Sequence, residues 1–82
     1  MSLVEMYSKD NCHLCDEARK VLDAARSKIP FELNIIKLKE GDAEFEMYKE
    51  RFPVIFINKE FAFQFKVSEH QLMTRLLGVH AG

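Results

Sequence analysis

From Leu3 to Tyr7 apolar and polar positions alternate, the period of a strand with one buried face. The alternation breaks at Ser8-Lys9-Asp10-Asn11, which reads as a loop. From Cys12 the period changes. Leu14, Ala18, Val21, Leu22 and Ala25 recur at spacings of three and four, with Asp16, Glu17, Arg19, Lys20, Asp23 and Arg26 on the other side. The spacing predicts an amphipathic helix from near Cys12 to about Ser27, with Asn11 as its N-cap. Pro30 ends the connection. Phe31, Leu33 and Ile35 alternate as a second strand, and Ile36 and Leu38 read as its continuation shifted by a bulge.

After the loop Lys39-Glu40-Gly41-Asp42, Phe45, Tyr48 and Phe52 stand at helical spacing and predict a second helix from about Asp42 to Arg51. Val54 to Ile57 is a third strand, joined through Asn58-Lys59 to a fourth over Glu60–Phe65. Two linking residues led by Asn mark a tight hairpin, although such a turn needs φ > 0 at both positions and Gly is the easier occupant of position 59. Ser68-Glu69-His70-Gln71 is a capping box. It opens a last helix with Leu72, Met73, Leu76 and Leu77 on its apolar face and Gly78 at its C-cap.

The order β-α-β-α-β-β-α limits the topology. A strand, a helix and a second strand form a right-handed crossover with parallel strands, and the hairpin adds two antiparallel ones. The predicted fold class is therefore α/β: a four-stranded mixed sheet flanked by three helices, in a single domain over residues 1–82. Eighty-two residues bury a modest core and leave no room for a second lobe.

Composition narrows the function classes. The formal charge is −1, with acids and bases interspersed, so no basic stripe is present to track nucleic-acid phosphates. The start of the chain lacks a basic segment followed by a long apolar run, so it does not read as a signal peptide. The longest apolar run, Pro53 to Ile57, is strand-sized, far below the ~20 residues of a membrane helix. Two cysteines are too few for a secreted disulfide scaffold. The expectation is a cytoplasmic monomer that binds neither nucleic acid nor membrane.

The candidate chemistry is Cys12-His13-Leu14-Cys15, placed where a strand's end meets a helix's start. Cysteines at i and i+3 on a helix have Cβ atoms about 5–6 Å apart, whereas a disulfide prefers ~3.5–4.5 Å. The first turn closes that gap with little strain because its N–H groups are not yet committed. The same N–H groups and the helix dipole favour an anion at Cys12 by roughly 0.3–1 kcal/mol, up to ~2 when partly buried. At ~1.4 kcal/mol per decade, that is about a tenfold larger thiolate fraction. Lys9 adds attraction, while Asp10, Asp16 and Glu17 oppose it. Cys15, a turn inside the helix, is expected to stay protonated as the resolving thiol.

Other readings of the pair are a structural disulfide, a metal site and two incidental buried cysteines. Closing so short a loop stabilises by only about 2 kcal/mol. A closed zinc site needs four ligands, and His13, His70 and His80 are scattered; a cluster shared between two chains stays open. His13 is either a spacer or a thiolate stabiliser, and His70 and His80 read as surface residues. Phe61, Phe63 and Phe65 alternate and read as core packing, with a partner-binding aromatic patch as the second reading. Glu44, Glu46, Lys49 and Glu50 read as a solvated helix face.

Tyr7-Ser8-Lys9-Asp10-Asn11-Cys12-His13-Leu14-Cys15 resembles the active-site segment of glutaredoxins, and Phe52-Pro53-Val54-Ile55-Phe56-Ile57-Asn58-Lys59-Glu60 resembles the family's cis-proline and hairpin. The resemblance to short glutaredoxin-like proteins spans essentially the whole chain. It implies the thioredoxin fold and thiol–disulfide exchange through Cys12 and Cys15. It also implies a cis bond at Phe52-Pro53, with the Phe52 backbone beside Cys12 to pair with an extended substrate, and Lys9 as a carboxylate partner. No tightly bound cofactor is implied. Glutathione as co-substrate, a protein disulfide as substrate and a flavoprotein reductase as electron source all remain open. Phe65-Lys66-Val67-Ser68-Glu69 stands where glutaredoxins carry a Gly-Gly that helps hold glutathione, and Arg51 stands where Thr or Ser is common. The resemblance further leaves an iron–sulfur carrier and a non-catalytic binding module as alternative functions.

Overall fold

The computed structural model describes residues 1–81, with side chains through Gly78. His80 lies outside the described side chains. Four strands, β1 (Leu3–Lys9), β2 (Glu32–Leu38), β3 (Val54–Ile57) and β4 (Glu60–Gln64), alternate with three helices, α1 (His13–Arg26), α2 (Ala43–Tyr48) and α3 (Glu69–Ala81). The sheet order is β2-β1-β3-β4, with β1 parallel to β2 and antiparallel to β3, and β3 antiparallel to β4. The expected order and mixed sheet are thus present.

The alternation along β1 sends Val4, Met6 and Ser8 to one face, where they are buried. There Val4, Met6, Leu22, Phe31, Ile55 and Leu72 join the main core between the sheet and the pair α1 and α3. A smaller cluster of Cys15, Leu38 and Phe52, flanked by Tyr7, Ile36, Phe45 and Tyr48, forms under α2 at the end of β1. Lys28 at the end of α1 is ion-paired to Glu69 at the start of α3.

Several boundaries differ from the sequence expectation. β1 runs on through Ser8 and Lys9 because Lys9 pairs with Leu38 of β2. β2 has no bulge: its register is continuous from Glu32 to Leu38. Leu33 and Ile35 pack on the main core, while Ile36 and Leu38 pack in the smaller cluster, because helices cover both faces at this end. α2 stops at Tyr48, with Lys49 as C-cap, rather than reaching Arg51. Beyond Tyr48 the chain tightens into a turn, the Arg51 N–H donating to Tyr48 O at 2.7 Å, before it reaches Phe52-Pro53. Gly78 lies inside α3 rather than capping it; its φ is not positive, as a C-cap glycine requires.

The hairpin holds the expected form. Asn58 and Lys59 have φ of 51° and 70°, the signature of a type I′ turn. Asn58 Oδ1 accepts from the Leu3 N–H at 2.9 Å, and the Asn58 N–H donates to Leu3 O at 2.8 Å. The capping box is also formed: Ser68 Oγ accepts from the Gln71 N–H at 3.0 Å, and Gln71 Oε1 accepts from the Ser68 N–H at 3.2 Å.

The phenylalanine stripe is not a core stripe. A register shift makes Ile55 oppose Phe63 and Phe56 oppose Phe61, so Ala62 is an extra bulged residue. Phe63 therefore joins the main core. Phe61 turns to the other face, half exposed, with its ring 6.2 Å from that of Phe56. Phe65 lies beyond the strand, 42% exposed.

Candidate functional site

The site is built where β1 delivers the chain into α1. Asn11 takes φ 55°, a left-handed conformation that Asn tolerates better than most residues. That turn leaves Cys12, not Asn11, as the N-cap of α1: Cys12 is extended at φ −112° and ψ 101°. Its Sγ accepts from the Cys15 N–H at 3.2 Å. The sulfur itself satisfies one of the helix's unpaired N–H groups, a role usually taken by an oxygen of Asn, Asp, Ser or Thr.

Cys12 and Cys15 are joined as a disulfide, with Cα atoms 5.2 Å apart. Cys12 is half-buried, while Cys15 is 3% exposed. The two sulfurs thus differ in access, as the placement on the first turn predicts. Phe52 is buried against Cys15 and Leu38, with its ring 5.6 Å from that of Phe45. The Phe52-Pro53 peptide is cis. Among the described residues the Phe52 backbone enters none of the loop and turn hydrogen bonds. Lys9 ends β1 and carries its Nζ 5.7 Å from the centre of the Phe52 ring. Lys9, Cys12, Cys15, Phe52 and Pro53, singled out in sequence, therefore converge on one end of the sheet.

Two of the three acids expected to oppose Cys12, Asp10 and Glu17, have cationic neighbours, while Asp16 stands in the first turn of α1. Asp10 is paired with Lys37 at 3.3 Å, and Glu17 lies 3.7 Å from both Lys20 and the His13 imidazole. Side chains this exposed are also screened by salt. His13 points into solvent with 84% of its side chain exposed, and His70 is exposed. Among the described residues, no three His, Cys, Asp or Glu side chains come together as a metal site. Among the same residues, no helix is long and apolar enough to cross a membrane.

A groove of about 400 Å³ runs between the first turns of α1 and the segment after β4, lined in part by His13, Leu14, Val21, Phe65 and Lys66. The sequence pattern placed Phe65 in a strand, and only the family resemblance, which sets Phe65–Glu69 where glutaredoxins carry a Gly-Gly, linked it to the site. The link is a backbone contact, the Phe65 N–H donating to Pro53 O at 3.0 Å.

Residues 3–77 match the family described as the glutaredoxin-like domain (DUF836). The chain belongs to this glutaredoxin-like family. Solved structures agree on the thioredoxin fold. Chloroplastic thioredoxin z superposes with a TM-score of 0.82 at 16% identity, covering 100% of this chain and 80% of that one. The target protein XcR50 from X. campestris gives a TM-score of 0.77 at 24% identity, covering 92% and 96%. Glutaredoxin 1 from Francisella tularensis gives 0.56 at 18% identity, with both chains fully covered. A glutaredoxin-like thioredoxin fold with a Cys12–Cys15 pair at bonding distance points to redox function.

Proposed function

We propose that this glutaredoxin-like protein is a thiol–disulfide oxidoreductase in which Cys12 is the nucleophile and Cys15 the resolving thiol. The observation that carries this reading is the Cys15 N–H aimed at Cys12 Sγ from the first turn of α1. That donor and the helix terminus favour a thiolate on the half-buried sulfur, and burial keeps Cys15 out of reach of bulky substrates.

In the reduced protein, Cys12 thiolate attacks one sulfur of a substrate disulfide. A Cys12–substrate bond forms, and the other half leaves as a thiolate that takes up a proton. Cys15 then loses its proton and attacks Cys12 Sγ, forming the intramolecular bridge and releasing the second substrate thiol. The substrate gains two electrons and the protein loses two. Reopening the bridge requires an external dithiol or two monothiols, supplied by glutathione or by a flavoprotein reductase. The Phe52 backbone beside the cis-proline pairs with an extended substrate as an added strand, and Lys9 is the cation offered to a substrate carboxylate.

The test is trapping. With Cys15→Ser, a peptide disulfide should yield a stable mixed disulfide on Cys12, seen as a mass adduct, while Cys12→Ser should neither turn over nor trap. Absence of the adduct in Cys15→Ser would overturn the assignment of roles.

A further inference from the structure

A hollow between α3 and β4, the edge strand of the sheet, collects hydrogen-bond donors and carries no carboxylate. It encloses about 520 Å³ and is lined by Phe63, His70, Gln71, Thr74, Arg75 and Gly78. Gln71, Thr74, Arg75 and Gly78 recur at helical spacing and are exposed along one side of α3, while Leu72 and Leu76 are buried in the main core. None of the six belongs to the cluster around Cys12 and Cys15.

The polar groups here have donors to spare and few acceptors. Arg75 Nη2 donates to Phe61 O at 3.3 Å, which ties one arm of the guanidinium to the edge strand and leaves the rest of its fork open. The acid nearest in sequence, Glu69, is engaged by Lys28. The carbonyl end of the Gln71 side chain is committed, since Oε1 accepts from the Ser68 N–H at 3.2 Å, so the amide has its NH2 donors left. Thr74 adds a hydroxyl and His70 an imidazole. The complement of this set is an acceptor-only anion, a carboxylate or phosphoryl group, which a guanidinium can hold with two parallel hydrogen bonds.

Gly78 points to the same use. Its φ is not positive, and a Cβ at this position would meet nothing within 4 Å. Neither backbone angle nor packing therefore asks for glycine, which weakens a helix interior relative to alanine. Its effect is to leave room beside Phe63, a partly exposed side chain that also packs on the main core. The volume lies in the range of small-molecule sites.

Going beyond the redox reading and not resting on it, we propose that this hollow is a second binding site, for a small organic anion with a flat apolar body. The carboxylate or phosphoryl group sits on the Arg75 fork, and the body lies over Phe63 in the space that Gly78 leaves.

The experiment is an amide-shift titration of the isotope-labelled full chain with phenyl phosphate, benzoate, benzyl alcohol and benzylamine. At least one of the two anions should give saturable shifts at Phe63, Gln71, Thr74 and Arg75, with a Kd of about 1 mM or below. The tighter of the two tells phosphoryl from carboxylate. The neutral and cationic ligands should bind at least about tenfold more weakly. Arg75→Gln, which removes a charge-assisted contact, should weaken the anion about tenfold or more. Gly78→Leu, which fills the hollow at an exposed helical position, should do the same without lowering the melting temperature. No saturable shift with either anion, equal binding of benzylamine, shifts confined to residues around Cys12, or unaltered affinity in both variants overturns the inference. Each of those results leaves the trapping test at Cys12 untouched.

Discussion

Reducing the Cys12–Cys15 bridge should expose two thiols of very different reactivity, and the geometry sets how different. Cys12 Sγ accepts the Cys15 N–H at 3.2 Å at the N-terminus of a fourteen-residue helix. A helix terminus favours an anion by roughly 0.3–1 kcal/mol, up to ~2 in a partly buried site. Taking about 1.4 kcal/mol gives about a tenfold larger thiolate fraction near neutral pH than a free cysteine has. Nucleophilicity falls as basicity falls, with a Brønsted slope of about 0.4–0.5, so the net gain in alkylation rate is roughly threefold. Cys15 has the opposite bias. At 3% exposure its thiolate would be desolvated and its sulfur hidden from reagent. The Cys12:Cys15 ratio of alkylation rates should therefore exceed about ten near neutral pH. Pulse alkylation of the reduced protein, read by peptide mass spectrometry across a pH series, measures it directly. Equal, slow modification at both positions, with the pH dependence of a free thiol, would refute the reasoning.

Three further outcomes follow from the packing. The Tyr7 hydroxyl titrates above its ordinary value of 10.0, first because it is partly buried and then because Tyr48, Glu5 and Glu44 add negative charge nearby. The folded state holds that proton longer than the unfolded chain, so this stabilisation is complete below pH ~10 and lost as pH rises through the folded-state value. Tyr7→Phe should flatten the alkaline limb of stability in urea melts. Leu22→Ala, at a fully buried position of the main core, should cost about 2–5 kcal/mol. That is a large share of the roughly 4–12 kcal/mol expected for a chain of this length, and the urea midpoint should fall accordingly. Lys59→Gly removes left-handed strain of about 1–2 kcal/mol. It adds about 0.5–1 kcal/mol of backbone entropy and loses the 3.2 Å pair with Glu5, worth about 0.2–1 kcal/mol. The net change should stay within about 1 kcal/mol and become more favourable in a Glu5→Gln background, by a double-mutant cycle in urea.

Features governed by near neighbours were legible in the sequence. The Asn58-Lys59 hairpin, the Ser68–Gln71 box and the apolar stripe of α1 each depend on residues within a few positions of one another. Features governed by distant partners were not. Lys9 joins β1 only because Leu38 lies beside it, and the break in the phenylalanine stripe exists only in the pairing of β4 with β3. The site divides in the same way. Spacing exposes Cys12 and Cys15, and family resemblance exposes Phe52-Pro53. The Cys12 cap required the left-handed turn at Asn11, and the place of Phe65 required a hydrogen bond from the end of β4 back to Pro53.

The distribution of backbone strain argues that this end of the molecule is shaped for more than folding. Among the described residues, four other than glycine have positive φ: Asn11, Asn58, Lys59 and Phe65. Asn58 and Lys59 are accounted for by the fold, since a two-residue hairpin matching the sheet's twist needs left-handed angles at both positions. Asn11 and Phe65 answer no such demand from the core: Asn11 is exposed, and Phe65 is largely outside the packed interior. What they share is a link to the redox pair: Asn11 precedes Cys12, and Phe65 is bonded to Pro53, the neighbour of the Phe52 that packs with Cys15. Asn is well suited to that backbone and is explained by the turn it makes. Phe is poorly suited, and glycine would adopt the same angle freely. The difference between them is what the ring contributes to the groove.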